Sequence, residues 1–455
     1  MRFKFPESCN IAFTPLRVAI FLGGVAISTG CHAETADVED TTARLQVTYN
    51  WQRHPAYQAA YSGPNSIIAS GEKMYTFTTT AFLGFRPWAG GEAYLTPEVS
   101  QGVPFSTNLI GLGSFTNGEI TRAGGSNPTL YRQKLFLRQT WNNGGGTEHI
   151  EANLNQLAGS VDKNRFVLTA GNFSTLDVFD PNTYAKDPRT QFMNWGNWTY
   201  AAYDYAADAR GFGWGFAAEW YQDDWVLRFG RMTGPKDPNG LPVDLALGSH
   251  YGDQIEIEHA HRLYDRPGKV RVLGWRNRAK LARFDDALTW LNTHPGQYTG
   301  PDALYAVRNS EQIKYGLGVN IEQEISDSTG FFMRAMHADG QTETYAFTEV
   351  DGSLSSGFTI KGNHWGRSED TIGLALMRNT LSDERRRFLE AGGISFFIGD
   401  GRLNYRPETI FEGYYSLSLT KGMWLTTDYQ RIQNPAYNAD RGPIDVYAVR
   451  FHAEL

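Results

Sequence analysis

The sequence predicts an all-β chain that closes into a transmembrane antiparallel β-barrel of 16 strands, with 18 as the alternative, carrying long extracellular loops. Three observations lead there. Candidate strands recur from Arg44 to Leu455 with apolar and aromatic residues at every second position, the period at which a strand sends side chains to opposite faces. Long polar connections alternate with tight turns, as in barrels whose two ends face different compartments. No run of about 18 apolar residues follows Ala33, so no helix is available to cross a bilayer, whereas a barrel strand needs only about 9–11 residues of dyad pattern.

The chain has 455 residues, of which 48 are Gly and 14% are aromatic, and its mean hydropathy is −0.43. That balance fits neither a helical membrane protein nor a disordered chain and leaves sheet as the way to order it. Met1 to Ala33 reads as a secretory signal: Arg2, Lys4 and Arg17 supply positive charge, Val18 to Gly30 is an apolar run of signal length, and cleavage is expected after Ala33. Residues 34–455 then make a single barrel domain, with no break in composition to mark a linker. The two cysteines, Cys9 and Cys31, both fall in that signal, so the mature chain is expected to carry neither thiol nor disulfide. A net charge of −7 argues against a nucleic-acid partner.

The strands justify the fold in order. In "LQVTYNWQ" Leu45, Val47, Tyr49 and Trp51 share one face, and in "YTFTTTAFLGF" Tyr75, Phe77, Ala81, Leu83 and Phe85 do. "WVLRFGR" sets Trp225, Leu227 and Phe229 opposite Val226, Arg228 and Gly230. "KGMWLTTDYQRI" sets Met423, Leu425, Thr427 and Tyr429 opposite Trp424, Thr426, Asp428 and Gln430. The last strand sets Tyr447, Val449 and Phe451 opposite Arg450, His452 and Glu454. Roughly seventeen such segments can be counted, and an even number is required for closure. Aromatics near segment ends, such as Trp51, Trp141, Trp225 and Tyr429, suit interfacial girdles. On periodicity alone a soluble β-sandwich or propeller with buried aromatics stays open.

Several stretches carry a family resemblance. "YRQKLFLRQTW" (131–141), "NFSTLDVFDPNTYAKDPRTQFMNW" (172–195), "HWGRSEDTIGLA" (364–375), "FFIGDGRLNYRPETIFEGYYSLSL" (396–419) and "NPAYNADRGPIDVYAVRFHAEL" (434–455) resemble, in order, the OprB-like carbohydrate-selective porins of Gram-negative outer membranes. The chain departs from that pattern in ending on Leu455 where an aromatic is common, and in its segment from Phe284 to Glu311. The resemblance implies a 16-strand barrel in the outer membrane, in contact with its lipid and lipopolysaccharide, and passive passage of small carbohydrates without a cofactor. It leaves the preferred sugar and the oligomeric state open.

Sugars are neutral, densely hydroxylated and flat on their CH faces, so a selective constriction needs forked donors, carboxylate acceptors and an aromatic face. On the expected lumen parity stand Arg86 with Thr76, Thr78 and Thr80; Glu92, Tyr94, Thr96 and Glu98; and Arg132, Lys134 and Arg138. Rows of Arg and Glu can set a transverse field that orders water and penalises apolar solutes. The long segment "FDPNTYAKDPRTQFMNWGNW" (179–198) is expected to fold into the lumen, with Asp180 and Arg189 meeting hydroxyls and Trp195 stacking on a ring.

Other constellations carry less. His259 and His261 share a strand face but lack a third ligand, and Asp180, Asn182 and Asp187 lack the spacing of a calcium loop. "DERRRF" (383–388) reads as a solvated turn. No Ser, His and acid set can be assembled for a barrel-embedded hydrolase of lipid or lipopolysaccharide. That enzyme and a secreted glycan-binding sheet protein are the competing readings, and a non-enzymatic pore is the expectation.

Overall fold

In the computed structural model, which describes residues 38–296 and 300–455, the chain lays down strands almost from the start of the described region. The expected signal at 1–33 lies outside the described residues. The strands are β1 (Thr41–His54), β2 (Glu72–Phe85), β3 (Gly91–Val103), β4 (Thr129–Asn142), β5 (Thr147–Ile150), β6 (Gly159–Asp162), β7 (Arg165–Phe173), β8 (Gly213–Gln222) and β9 (Trp225–Met232). They continue as β10 (Tyr251–Leu263), β11 (Arg266–Lys280), β12 (Glu311–Ser326), β13 (Thr329–Ala338), β14 (Gly352–Gly362), β15 (Arg367–Thr380), β16 (Glu408–Thr420), β17 (Met423–Gln433) and β18 (Ile444–Glu454).

β1 to β4 and β7 to β18 close one antiparallel barrel of 16 strands, β18 returning to pair with β1 through Gln46 opposite Glu454 and Arg53 opposite Tyr447. Closure gives each strand two neighbours, which removes the unpaired edges that a sheet in lipid cannot tolerate. The two remaining strands, β5 and β6, form a small hairpin outside the barrel ladder, within the connection between β4 and β7.

Away from a bulge on β4, the parity read from the sequence is the parity found. On β1 the residues Gln46, Thr48, Asn50 and Gln52 are buried inside, while Tyr49 points out at 42% exposure. Around the wall Leu137, Trp220, Trp225, Ile255, Leu317, Leu376 and Tyr447 make an exposed apolar outer face, which suits hydrocarbon and not a second sheet. Trp141, Trp225 and Tyr429 lie on that outward row.

Connections 86–90, 223–224, 264–265, 327–328, 363–366 and 421–422 are short and lie at one end, and the long segments 55–71, 104–128, 174–212, 233–250, 281–310, 339–351, 381–407 and 434–443 lie at the other. In outer-membrane barrels the short turns are periplasmic and the long loops extracellular. The long segments fill much of the lumen. Helices α1 (Trp195–Trp198), α2 (Phe284–Thr293), α3 (Asp302–Val307) and α4 (Asp383–Glu390) belong to them, and the last three share an apolar core of Phe284, Leu291, Leu304 and Phe388. "DERRRF" is therefore no solvated turn. It opens α4, capped by the Ser382 hydroxyl, and its Arg385 is fully buried against Asp351 with Nε to Oδ2 at 2.9 Å.

Candidate functional site

The segment 174–212 is the part of the chain that organises the lumen. It leaves β7 through a turn in which Ser174 and Asp177 cap each other, crosses to the opposite wall, and returns to β8. Far-wall groups hold it at each step. The Asp180 carboxylate accepts from Arg334 Nε at 2.8 Å and, within the segment itself, from Thr199 Oγ1 at 3.0 Å, and the Asp180 N–H donates to Glu256 at 2.9 Å. Thr183 N–H donates to Glu322 at 2.8 Å, Asn197 Nδ2 donates to Glu412 at 2.6 Å, and Arg450 donates to the carbonyls of Pro188 and Gln191, both at 2.8 Å. Phe192 seals the gap by packing on Phe332 and Tyr414, with ring centroids 5.3 and 5.0 Å away.

A second inward segment, 104–128, braces the first. Trp195 N–H donates to the Phe115 carbonyl and Gly118 N–H to the Met193 carbonyl, each at 2.9 Å. Gly118 is required by closeness: a Cβ there would stand 2.2 Å from Trp198 Nε1. Trp195 stacks on Phe347 at 4.9 Å and meets Trp198 at 5.0 Å, building an aromatic knot inside a wall of polar strand residues.

Between this knot and the wall of β1 to β4 a cavity of about 320 Å³ remains, lined by Arg122, Lys134, Arg138, Lys186, Arg189 and Arg210, by Asp177 and Asp187, and by edges of Phe136, Trp195, Tyr205 and Phe212. Arg189 is its centre. Its guanidinium donates to Glu98 at 2.7 Å and to Thr80 at 3.1 Å, and also bonds Glu119 and Gln46. Burial alone would weaken its hold on a proton, but Glu119 and Glu98 outweigh that and shift it upward, so it stays charged. Glu98 also accepts from Gln133 at 2.7 Å and from Tyr131, and Arg122 stands 3.8 Å from Glu119. Lys186 donates to the carbonyls of Phe179 and Asp180 at 3.1 and 2.9 Å. Burial lowers it to about 8, with Asp180 opposing that shift and Arg334 adding to it. Lys134 pairs with Asp177 at 2.7 Å.

The structure brings together Glu98, Arg138 and Arg189 of the expected residues, with Arg86 just beyond. Arg138 lies 3.3 Å from Glu92 with its guanidinium over the Tyr94 and Phe136 rings, and Arg86 lies 3.4 Å from the same Glu92. Trp195 borders the cavity, but its face is occupied by Phe347 and it is not free to stack on a solute. Asp180 is buried in the far wall as an anchor, away from the cavity.

Arg132 does not join the group. A register shift between Thr96 and Pro97 lets Tyr131 and Gln133 face inward below the bulge and Lys134, Phe136 and Arg138 above it, which leaves Arg132 outside over the Trp214 ring at 5.1 Å. Arg122, Glu119, Lys186 and Arg210 were not legible as site residues, because they sit in irregular segments where no alternation assigns a face. One signal was present, the charge of Arg189 in a segment expected to enter the lumen, which calls for carboxylate partners. His259 stacks on Trp225 at 4.2 Å on the outward row, and no group of three His, Cys, Asp or Glu able to hold a metal occurs among the described residues.

A family model described as the carbohydrate-selective porin, OprB family, matches residues 84–455. Among solved structures the chain is similar to OprB of Pseudomonas putida, with a TM-score of 0.65 at 15% identity over 91% of this chain and 94% of that one. It is also similar to the outer membrane channel DcaP of Acinetobacter baumannii, with a TM-score of 0.48 at 9% identity over 91% of this chain and 97% of that one. No curated protein matches it. The first likeness speaks to the fold.

Proposed function

The chain belongs to the OprB family of carbohydrate-selective porins and is an outer-membrane channel, and on that premise we propose that it passes mono- or small oligosaccharides passively down their gradient along the wall of β1 to β4. The supporting observation is the lining of the cavity. Fixed guanidinium forks at Arg122, Arg138, Arg189 and Arg210 and carboxylates at Asp177 and Asp187 offer donors and acceptors to hydroxyls, while Phe136, Tyr205 and Phe212 offer apolar edges to the ring. Its volume lies at the lower end of the ~300–1,000 Å³ of small-molecule sites, so a solute is dehydrated and read as it passes.

Binding must stay weak for release to follow. That fits a lining whose strongest groups are already paired: Arg189 with Glu98 and Glu119, and Lys134 with Asp177. Arg86, Glu98, Arg138 and Arg189 are the proposed constriction. No step needs a cofactor or a bond broken.

Liposome swelling tests this reading. Vesicles holding the protein should swell faster in a monosaccharide or disaccharide than in a zwitterionic amino acid of equal size, and Arg138→Ala should narrow the difference. Equal rates for sugars and amino acids would refute the sugar preference.

A further inference from the structure

One connection at the short-turn end breaks the rule of its neighbours. Where the others there are 86–90, 223–224, 264–265, 327–328, 363–366 and 421–422, the connection between β4 and β7 runs from 143 to 164. It opens on Gly144, Gly145 and Gly146, all with φ between 81° and 86°, a left-handed run that side chains resist and that turns the chain back on itself. It then forms the β5–β6 hairpin, whose tip enters the barrel.

The barrel wall holds that tip. Thr96 Oγ1 donates to Asn155 at 2.9 Å, Arg138 to the Asn155 carbonyl at 3.3 Å, Arg44 to the Asn153 carbonyl at 3.1 Å, and Arg86 to the Ala158 carbonyl at 2.9 Å. Leu157 is buried with its N–H on the Tyr94 hydroxyl at 3.1 Å. Residues 153–156 line the Arg189 cavity. Gln156, Leu157, Gly159 and Val161 line a second cavity of about 240 Å³ that reaches Arg165 and Tyr221 near the short turns, and Arg138, Gln156 and Asp177 belong to both. The tip thus stands between the two spaces.

We propose that residues 147–162 form a second, exit-side constriction, so that this channel is narrowed from both ends: by 104–128 and 174–212 from the long-loop end, and by an inserted hairpin from the other. The aperture is bounded by Gln156 and Arg138, and it sets the size limit for solutes already past Arg189. The inference rests on the lumen being the conducted path and not on which solute uses it.

Single-channel conductance in planar bilayers, with neutral polyethylene glycols of graded size as blockers, tests it. Deleting 147–162 joins Gly146 to Lys163, which the Lys163 N–H to Gly146 carbonyl bond of 2.9 Å already holds together. The deletion should raise conductance at least about twofold and admit larger polymers. Gln156→Trp, which keeps the whole chain, should lower both and decides alone if the deletion does not assemble. Conductance and polymer cut-off unchanged from the parent in Gln156→Trp would overturn the proposal. Should the parent conduct ions yet show no preference for sugars in swelling, the carbohydrate reading fails while this one is still decided by the polymer cut-off.

Discussion

The two walls of the lumen use the same polar parity for opposite ends. On the wall of β1 to β4, inward charges such as Arg138 and Lys134 border the cavity of about 320 Å³. On the wall of β9 to β17, equally inward charges are consumed in holding the chain: Arg334 on Asp180, Glu322 on Thr183, Glu412 on Asn197, and a ladder in which Arg228 meets Glu258 at 3.0 Å and Arg271 meets Glu258 at 2.7 Å. Asp180 and Arg189 lie nine positions apart on one segment, yet one is an anchor and the other faces the pore. An inward charge marks the lumen, and only its partner tells whether it conducts or fastens.

Breaking the far wall should have the largest effect. Arg334→Ala leaves Asp180 buried without its cation and frees the crossing segment, at a cost of about 3–5 kcal/mol. The measurement is the temperature at which the detergent-extracted barrel loses its compact mobility on a gel, which should fall. Arg189→Ala, on the near wall, leaves Glu98 and Glu119 buried without their cation, and because Arg189 lines the cavity it should change conduction as well as stability. The two carboxylates then face the path without their cation, and reversal potentials should shift toward potassium over chloride by several-fold. A purely structural Arg189 would leave the ratio unchanged.

A smaller, graded effect should come from pH. Lys186 is held near 8, below the usual lysine range, so it is charged below that pH and neutral above it. Raising pH from 7 to 9 removes one positive charge from the cavity, and cation preference should rise across that window in the parent and not in Lys186→Met. Smallest of all, Arg132→Ala should alter neither conductance nor swelling, and stability by no more than ~0.5 kcal/mol, since its guanidinium lies over Trp214 on the outward row.

Alternation made the barrel legible. Tyr49, Trp225 and Tyr447 stand outside and Gln46, Arg228 and Arg450 inside, as their positions dictate, because a strand has no third direction to offer. The site was legible at Glu98 and Arg138 on strands and at Arg189 in the segment expected to enter the lumen, while a single bulge near Pro97 reversed Arg132. Arg122, Lys186 and Glu119 come from irregular backbone, whose side-chain directions follow from packing with distant residues such as Phe115 and Trp198. Arg385 was misread for the same reason: its burial depends on Asp351, from a different long connection.

The central claim, that the path runs along the wall of β1 to β4 while segment 174–212 closes the far wall where Phe192 packs on Phe332 and Tyr414, is tested most directly by thiol accessibility. Because Cys9 and Cys31 fall in the expected signal, an introduced cysteine is the thiol to be read. Thr121→Cys borders the near-wall cavity and Ser355→Cys is buried on the far side. A charged methanethiosulfonate reagent added during bilayer recording should block current through Thr121→Cys and leave Ser355→Cys conducting. Rapid block at Ser355→Cys with none at Thr121→Cys would contradict the account.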